Sequence, residues 1–112
     1  MGGAFFEIDH ARKGNAAVDG LRVAKANGTI SVADFNTSEK VLGAVAVAGM
    51  QIDAEQQSAD TWAVQQTKIL AILQNTGLAQ LKAQVSPTAY AIVVAVITAV
   101  NQLSVSLGGP TI

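Results

Sequence analysis

The sequence predicts an all-α protein, an extended hairpin or L of two to three helices with a short helix at the N-terminus. Two observations predict this class. Asn36-Thr37-Ser38-Glu39 is the clearest helix-start signal in the chain, and a long stretch suited to a helix follows it. Ser86-Pro87 then opens a second stretch, residues 87–107, which is uncharged and strongly apolar, and proline favours the first position of a helix.

The first predicted element is a short helix over residues 9–26. Its apolar residues share one face, but Gly14 and Gly20 each cost a helix about 1 kcal/mol relative to alanine. Asn27-Gly28 is a typical helix stop. Residues 29–35 alternate in character, which predicts either a short strand or an extended connector.

A long helix is predicted from residue 37 to about residue 75, with more turns up to about residue 85. Asn36 can cap its first turn, and Glu39 lies near the positive end of the helix dipole. Residues 41–50 are apolar all round, which predicts burial on every side. Asn75-Thr76-Gly77 should stop or kink this helix.

The second half of the long helix is amphipathic. Apolar residues from Ile52 to Leu73 recur at spacings of 3, 4 and 7, and Trp62 lies in this seam. A lone tryptophan there predicts a core anchor or, in an oligomer, an interface hot spot. Asp53, Glu55 and Asp60 lie in the same region and predict a hydrated helix face, because acid–base catalysis would need an apolar pocket.

The last predicted helix covers residues 87–107 and ends at Gly108-Gly109-Pro110. It is long enough to cross about 30 Å of hydrocarbon. Polar residues cluster in its second half, basic anchors are sparse around it, and residues 102–107 alternate as a strand would. Three interpretations therefore stay open for this segment: a helix buried in a protein assembly, which we favour, a membrane helix over residues 88–107, and a strand.

The chain is predicted to be one helical assembly domain over residues 1–112, with a polar segment 1–36 and an apolar helical segment 37–107. Charged residues make up 13% of the chain, compared with about 25% in an average soluble domain. All of them except Lys68 and Lys82 lie in the first 60 positions. A surface with so few charged residues is typical of chains that bury their outer faces against copies of themselves or against lipid.

The composition argues against several classes of function. Net charge is −1, and no basic stripe indicates nucleic-acid binding. The chain has no cysteine and one histidine, too few for a zinc site, and Asp9-His10 predicts a solvated pair. No phosphate-binding loop, dinucleotide fingerprint or nucleophile elbow is present. We therefore expect no enzymatic activity, no cofactor and no metal.

The sequence predicts a structural subunit that self-assembles into a larger helical or virion-type particle, such as a bacteriophage tail, ejection or capsid-associated protein. Its expected partners are copies of itself and other subunits of the assembly. The predicted oligomer interface consists of apolar residues on the two main helices: Val41, Val45, Met50, Trp62, Ile69, Leu73, Ile92, Val94, Val96 and Val100.

The alternative is a small single-span membrane protein, holin-like or viral, with residues 88–107 in the bilayer. The N-terminus lacks the basic start and apolar run of a secretory signal. A virion or cytoplasmic assembly is therefore favoured over a membrane location.

Overall fold

The computed structural model describes the backbone of residues 3–112 and the side chains of residues 12–112. Within this range there are five helices and no strand. In chain order they are α1 (Gly3–Ala26), α2 (Val32–Gln56), α3 (Trp62–Gln74), α4 (Leu78–Gln84) and α5 (Pro87–Ser106). The molecule is elongated, 48 × 23 × 17 Å. The all-α class, the long helices and the apolar C-terminal helix are confirmed.

Helix α1 is longer than the sequence predicts, because it begins at Gly3 and spans 24 residues. Its buried face consists of Ala17, Leu21 and Ala24, which follow helical spacing. The helix stops at the predicted point. The backbone N–H of Gly28 donates to the carbonyl of Lys25 at 3.1 Å, and Gly28 has a φ of 72°, the left-handed conformation that glycine adopts without strain.

Helix α2 begins at Val32, five residues before the predicted start, so residues 29–35 form neither a strand nor an extended connector. Ser31 is the N-cap, and its hydroxyl accepts a hydrogen bond from the backbone N–H of Asp34 at 3.0 Å. Ile30 and Phe35 occupy the two positions of a hydrophobic staple, and both are buried. This earlier cap therefore takes precedence over the Asn36 signal, because it also buries two large side chains.

The predicted continuous helix from residue 37 to residue 75 is wrong in its middle, because α2 ends at Gln56 and α3 begins at Trp62. The Ser58 hydroxyl accepts from the backbone N–H of Asp60 at 3.2 Å and donates to the Glu55 carboxylate, a local pairing by which serine competes with helix in the gap. The hydroxyl of Thr61 then caps α3 by accepting from the backbone N–H of Val64 at 3.4 Å. This break lets α3 fold back against α2.

Two turns complete the path of the chain. The predicted stop at residues 75–77 is confirmed, with Gly77 at a φ of 88° between α3 and α4. Ser86 caps α5 by accepting from the backbone N–H of Ala89 at 3.2 Å, and Pro87 is the first helical residue. The strand interpretation is therefore wrong for residues 87–106.

Helix α5 is the centre of the bundle and contacts each of the other four helices. Val93, Val96 and Val100 on its inner face are completely buried. Its tightest approach is to α1, where a Cβ added to Gly20 would lie 3.0 Å from Cγ2 of Ile92. A Cβ at this crossing would require Ile92 to shift by a few tenths of an ångström, whereas glycine fits without any adjustment.

The polar residues in the second half of α5 hold the C-terminal tail. The Asn101 amide accepts from the backbone N–H of Ile112 at 2.6 Å and donates to the Ile112 carbonyl at 3.3 Å. The Ser104 hydroxyl donates to the carbonyl of Pro110 at 2.6 Å. From α3, the Gln66 amide donates to the carbonyl of Leu107. These side chains are thus paired inside the chain.

A matched pair of glycine substitutions tests this packing. Gly43→Ala should raise the free energy of unfolding by about 0.5–1 kcal/mol, because alanine favours helix and its methyl group would meet no atom within 4 Å. Gly20→Ala gains the same propensity but must push α1 away from Ile92, so it should be less stable than Gly43→Ala by about 1 kcal/mol or more. Urea denaturation followed by circular dichroism measures both. Equal stability of the two variants would contradict the close α1–α5 crossing.

Candidate functional site

The ten residues predicted to form an oligomer interface do not share one surface. Six lie in the chain's own core, Ile92 is half-buried against that core, and the other three are exposed. The buried six are Val41, Val45, Ile69, Leu73, Val96 and Val100. The exposed three are Met50, Trp62 and Val94. The sequence reveals apolar character, but it does not reveal which apolar faces the chain covers with its own helices.

Two exposed side chains correct specific predictions. Residues 41–50 are not buried on every side, because Val47 and Met50 point outward and Met50 is 61% exposed. Trp62 is 58% exposed at the start of α3 and is therefore not a core anchor. The break before α3 explains its position, since Trp62 starts a new helix instead of continuing the buried seam of α2.

An apolar groove of about 500 Å³ runs between α1 and α2 on the outside of the bundle. Val18 lines it from α1, and Leu42, Val47 and Met50 line it from α2. Because a short connection joins the two helices, they are antiparallel neighbours in close contact. The groove is a concave, largely apolar surface among the described side chains.

Two glycines inside helices keep this groove open. Gly14 on α1 and Gly43 on α2 both line it, and a Cβ added at either position would meet no atom within 4 Å. A glycine inside a helix costs about 1 kcal/mol relative to alanine. The packing of the described side chains leaves room for a methyl group at either position, in contrast to Gly20, so this packing does not explain the two glycines.

Two opposite charges lie on the two sides of this groove. Arg22 lines it from α1 and Glu39 from α2, and both side chains are exposed. Arg22 lies 3.7 Å from Asp19 on its own helix, a solvent-exposed pair of little energetic weight. The groove therefore presents an apolar floor with one positive and one negative charge at the end nearer the α1–α2 connection.

The outer face of α5 is a second exposed surface, and it is uncharged. Val94 and Val105 are about half-exposed on it, and the smaller residues Ala91, Ala95 and Thr98 lie between them. Within the described residues, α5 is the one helix long and apolar enough to cross a membrane, and 44% of its apolar stretch is buried in the bundle. A core helix of a soluble protein meets the same criterion of length and composition.

The connection between α2 and α3 carries the main polar cluster. Lys68 donates to Asp60 at 2.7 Å and lies 3.8 Å from Glu55, whose carboxylate also accepts from the Ser58 hydroxyl at 3.0 Å. The Lys68 ammonium lowers the pKa of Asp60, and the hydrogen bond to Asp60 raises the pKa of Lys68. Asp53 instead accepts from Gln57 at 2.9 Å. These contacts fix the connection between the helices.

Among side chains 12–112, no three histidines, cysteines or carboxylates come close enough to hold a metal ion. The Asp9-His10 pair lies outside the described side chains. No family model matches the chain, and no curated protein and no solved structure is detectably similar to it. The functional argument therefore depends on the exposed surfaces, among them the groove between α1 and α2.

Sequence reasoning missed most of the groove. Gly14, Arg22, Glu39 and Val47 were not candidate site residues, and Met50 alone links the predicted interface to this surface. One signal was present in the sequence: Gly43, Val47 and Met50 follow the spacing of one helix face, and a glycine inside a helix has a cost that needs a reason.

Introducing aspartate at a core position and at a surface position should change the stability of the chain by very different amounts. Leu73→Asp places a charge where the side chain is 1% exposed, so it should cost more than about 4 kcal/mol and unfold the chain. Val94→Asp places the same charge where the side chain is 47% exposed, so the unfolding free energy should change by less than about 1 kcal/mol. Thermal denaturation by circular dichroism distinguishes them. A folded Leu73→Asp variant would contradict the assignment of Leu73 to the core.

The Asp60–Lys68 pair should show in the pH dependence of stability. The pKa of Asp60 in the folded chain is lowered from 3.8. Its contribution to the free energy of unfolding is therefore complete above pH 3.8 and is lost as the pH falls through the lower pKa of the folded state. The pKa of Lys68 in the folded chain is raised from 10.5. Its contribution to the free energy of unfolding is therefore complete below pH 10.5 and is lost as the pH rises through the higher pKa of the folded state.

An NMR titration of the Asp60 carboxyl carbon measures the acid side directly. The midpoint should lie below 3.8 in the natural chain and should move up toward that value in Lys68→Met, which keeps the length of the side chain and removes its charge. Lys40→Met, on an exposed part of α2, serves as the control and should leave the midpoint unchanged. An unchanged midpoint in Lys68→Met would show that this pair does not hold the connection.

Proposed function

We propose that the protein is a non-enzymatic structural subunit that self-assembles into a larger helical or virion-type particle, such as a bacteriophage tail, ejection or capsid-associated protein. One observation carries the proposal: the chain completes its own core and still exposes large apolar side chains on four helices. They are Val23 on α1, Val32, Val47 and Met50 on α2, Trp62 and Val64 on α3, and Val94 and Val105 on α5.

The distribution of these side chains supports assembly more than binding of a small molecule. A ligand pocket gathers apolar side chains around one enclosed cavity, with a few convergent polar groups. Here the exposed apolar side chains lie on several helices around the bundle, and the grooves are open. A subunit that contacts more than one neighbour needs several such surfaces. Charged residues, at 13% of the chain, are too few to keep these faces well hydrated.

A second candidate is the holin-like or viral membrane protein, with α5 in the bilayer. The length and apolarity of α5 favour it. Insertion would, however, remove Val93, Val96 and Val100 from the core of the bundle. It would also separate Asn101 and Ser104 from the tail that they hold, leaving polar side chains to be satisfied in hydrocarbon. Burial of α5 in protein is therefore the preferred interpretation.

Expression without detergent, followed by membrane pelleting and light scattering of the supernatant, tests the two candidates together. We expect a soluble oligomer of defined mass, and Val94→Asp should reduce that mass because it places an unpaired charge in an apolar contact. Gln80→Glu, an added charge at an exposed and already polar position of α4, is the control and should leave the mass unchanged. Recovery only in membranes, resistant to high salt and carbonate and released by detergent, would overturn the proposal in favour of the membrane candidate.

A further inference from the structure

The groove between α1 and α2 has features that the packing of a single chain does not explain. Its floor is apolar, and Val47 and Met50 on one wall are largely exposed. Gly14 and Gly43 lie in its walls, and a Cβ added at either position would meet no atom of the described residues within 4 Å. Close approach of another helix is a common reason for small residues at exposed positions inside helices, because they let backbones come near each other.

The order of residues along the groove indicates which partner fits it. Since α1 and α2 are antiparallel, the groove runs from Arg22 past Val18 to Gly14 on one wall, and from Glu39 past Gly43 to Val47 on the other. The charged residues of opposite sign therefore share one end, and each glycine lies across from a larger apolar residue. A surface of this kind is complementary to itself.

We propose that the groove is the docking site for the same groove of a second copy of this chain, related by a two-fold axis that runs parallel to the helices. This proposal rests on the proposed function and names the first contact of the assembly. The two hairpins form a four-helix bundle in which α1 of each chain lies against α2 of the partner. Such an isologous contact occurs twice, once on each side of the axis.

This arrangement brings the opposite charges and the apolar surfaces of the two grooves together. Arg22 lies opposite the partner's Glu39, and Glu39 lies opposite the partner's Arg22. Val47 and Met50 enter the space beside the partner's Gly14, and Val18 enters the space beside the partner's Gly43. Rotation about an axis perpendicular to the helices would instead bring the charged end of each groove onto the apolar end of the other, leaving charges without partners in an apolar contact. The charges thus select the parallel arrangement of the two hairpins.

Charge reversal in trans tests this geometry. Arg22→Glu and Glu39→Arg each create two like-charge pairs in a symmetric dimer, so each variant alone should dimerise at least about tenfold more weakly. Mixing the two variants places opposite charges on both sides of the axis and should restore a heterodimer at close to the natural affinity. Sedimentation velocity gives the dissociation constants, and native mass spectrometry with one chain isotopically labelled identifies the heterodimer.

Two further variants show whether a loss of dimerisation comes from the groove contact or from a loss of folding. Lys40→Glu reverses a neighbouring exposed charge on α2 that does not line the groove, and it should leave dimerisation unchanged. Gly43→Leu fills the groove, where the single chain has free space, so it should abolish dimerisation while keeping helix content and cooperative unfolding.

The outcomes separate this inference from the proposed function. If the natural chain assembles but Arg22→Glu, Glu39→Arg and Gly43→Leu leave its mass unchanged, the groove is not the docking site and self-assembly stands. If the single variants weaken dimerisation and their mixture does not restore it, the two-fold pairing is wrong. A natural chain that stays monomeric at all concentrations, or that associates only with lipid vesicles, overturns both proposals.

Discussion

Burial of α5 against the other four helices is the interaction on which the rest of the structure depends. Val93, Val96 and Val100 are completely buried on its inner face, and each is worth roughly 1.5–3 kcal/mol in apolar burial. Three such residues together approach the net stability of a typical small domain, about 5–15 kcal/mol. The close crossing at Gly20 places α1 on this helix, and α2 packs onto α1 and α5 in turn. The two helices that form the walls of the groove thus pack on α5 and also directly against each other.

The same dependence explains the polar residues of α5. In a bilayer, Asn101 and Ser104 would need partners from other helices, because hydrocarbon offers none. In the folded chain, the backbone of the C-terminal tail supplies these partners. The tail fits closely enough that a Cβ added to Gly109 would overlap Leu70 on α3. Asn101 and Ser104, two of the residues that weakened the membrane interpretation of the sequence, thus fasten the end of the chain to the bundle.

The fold class and the main stops were predictable because their causes are local. Gly28, Gly77 and Pro87 act through their own backbone geometry, and the serine and threonine caps act within one turn. The start of α2 was misplaced because two cap signals lie five residues apart, and only the first also buries Ile30 and Phe35. The burial of these two side chains depends on tertiary packing, which local helix propensity does not predict.

The candidate site was harder to predict for the same reason. The apolar character of Val45 and Val47 is identical in the sequence, yet Val45 is 1% exposed, whereas Val47 is 47% exposed and lines an open groove. Which face is covered depends on how α1 crosses α5, a long-range relation. The sequence already shows that Gly14 and Gly43 lower helix stability. The reason for them requires the structure, in which both residues line the same groove.

A two-fold contact through the groove has a consequence for the size of the assembly. An isologous interface uses the same patch on both chains and is complete with two copies, so it cannot extend a particle by itself. A particle larger than a dimer needs a second contact, made through a surface that stays free after the dimer has formed. The uncharged outer face of α5, with Val94 and Val105 half-exposed, lies on a different helix from both walls of the groove. In the proposed subunit, the groove would form the dimer, and the outer face of α5 would remain available for contacts between dimers.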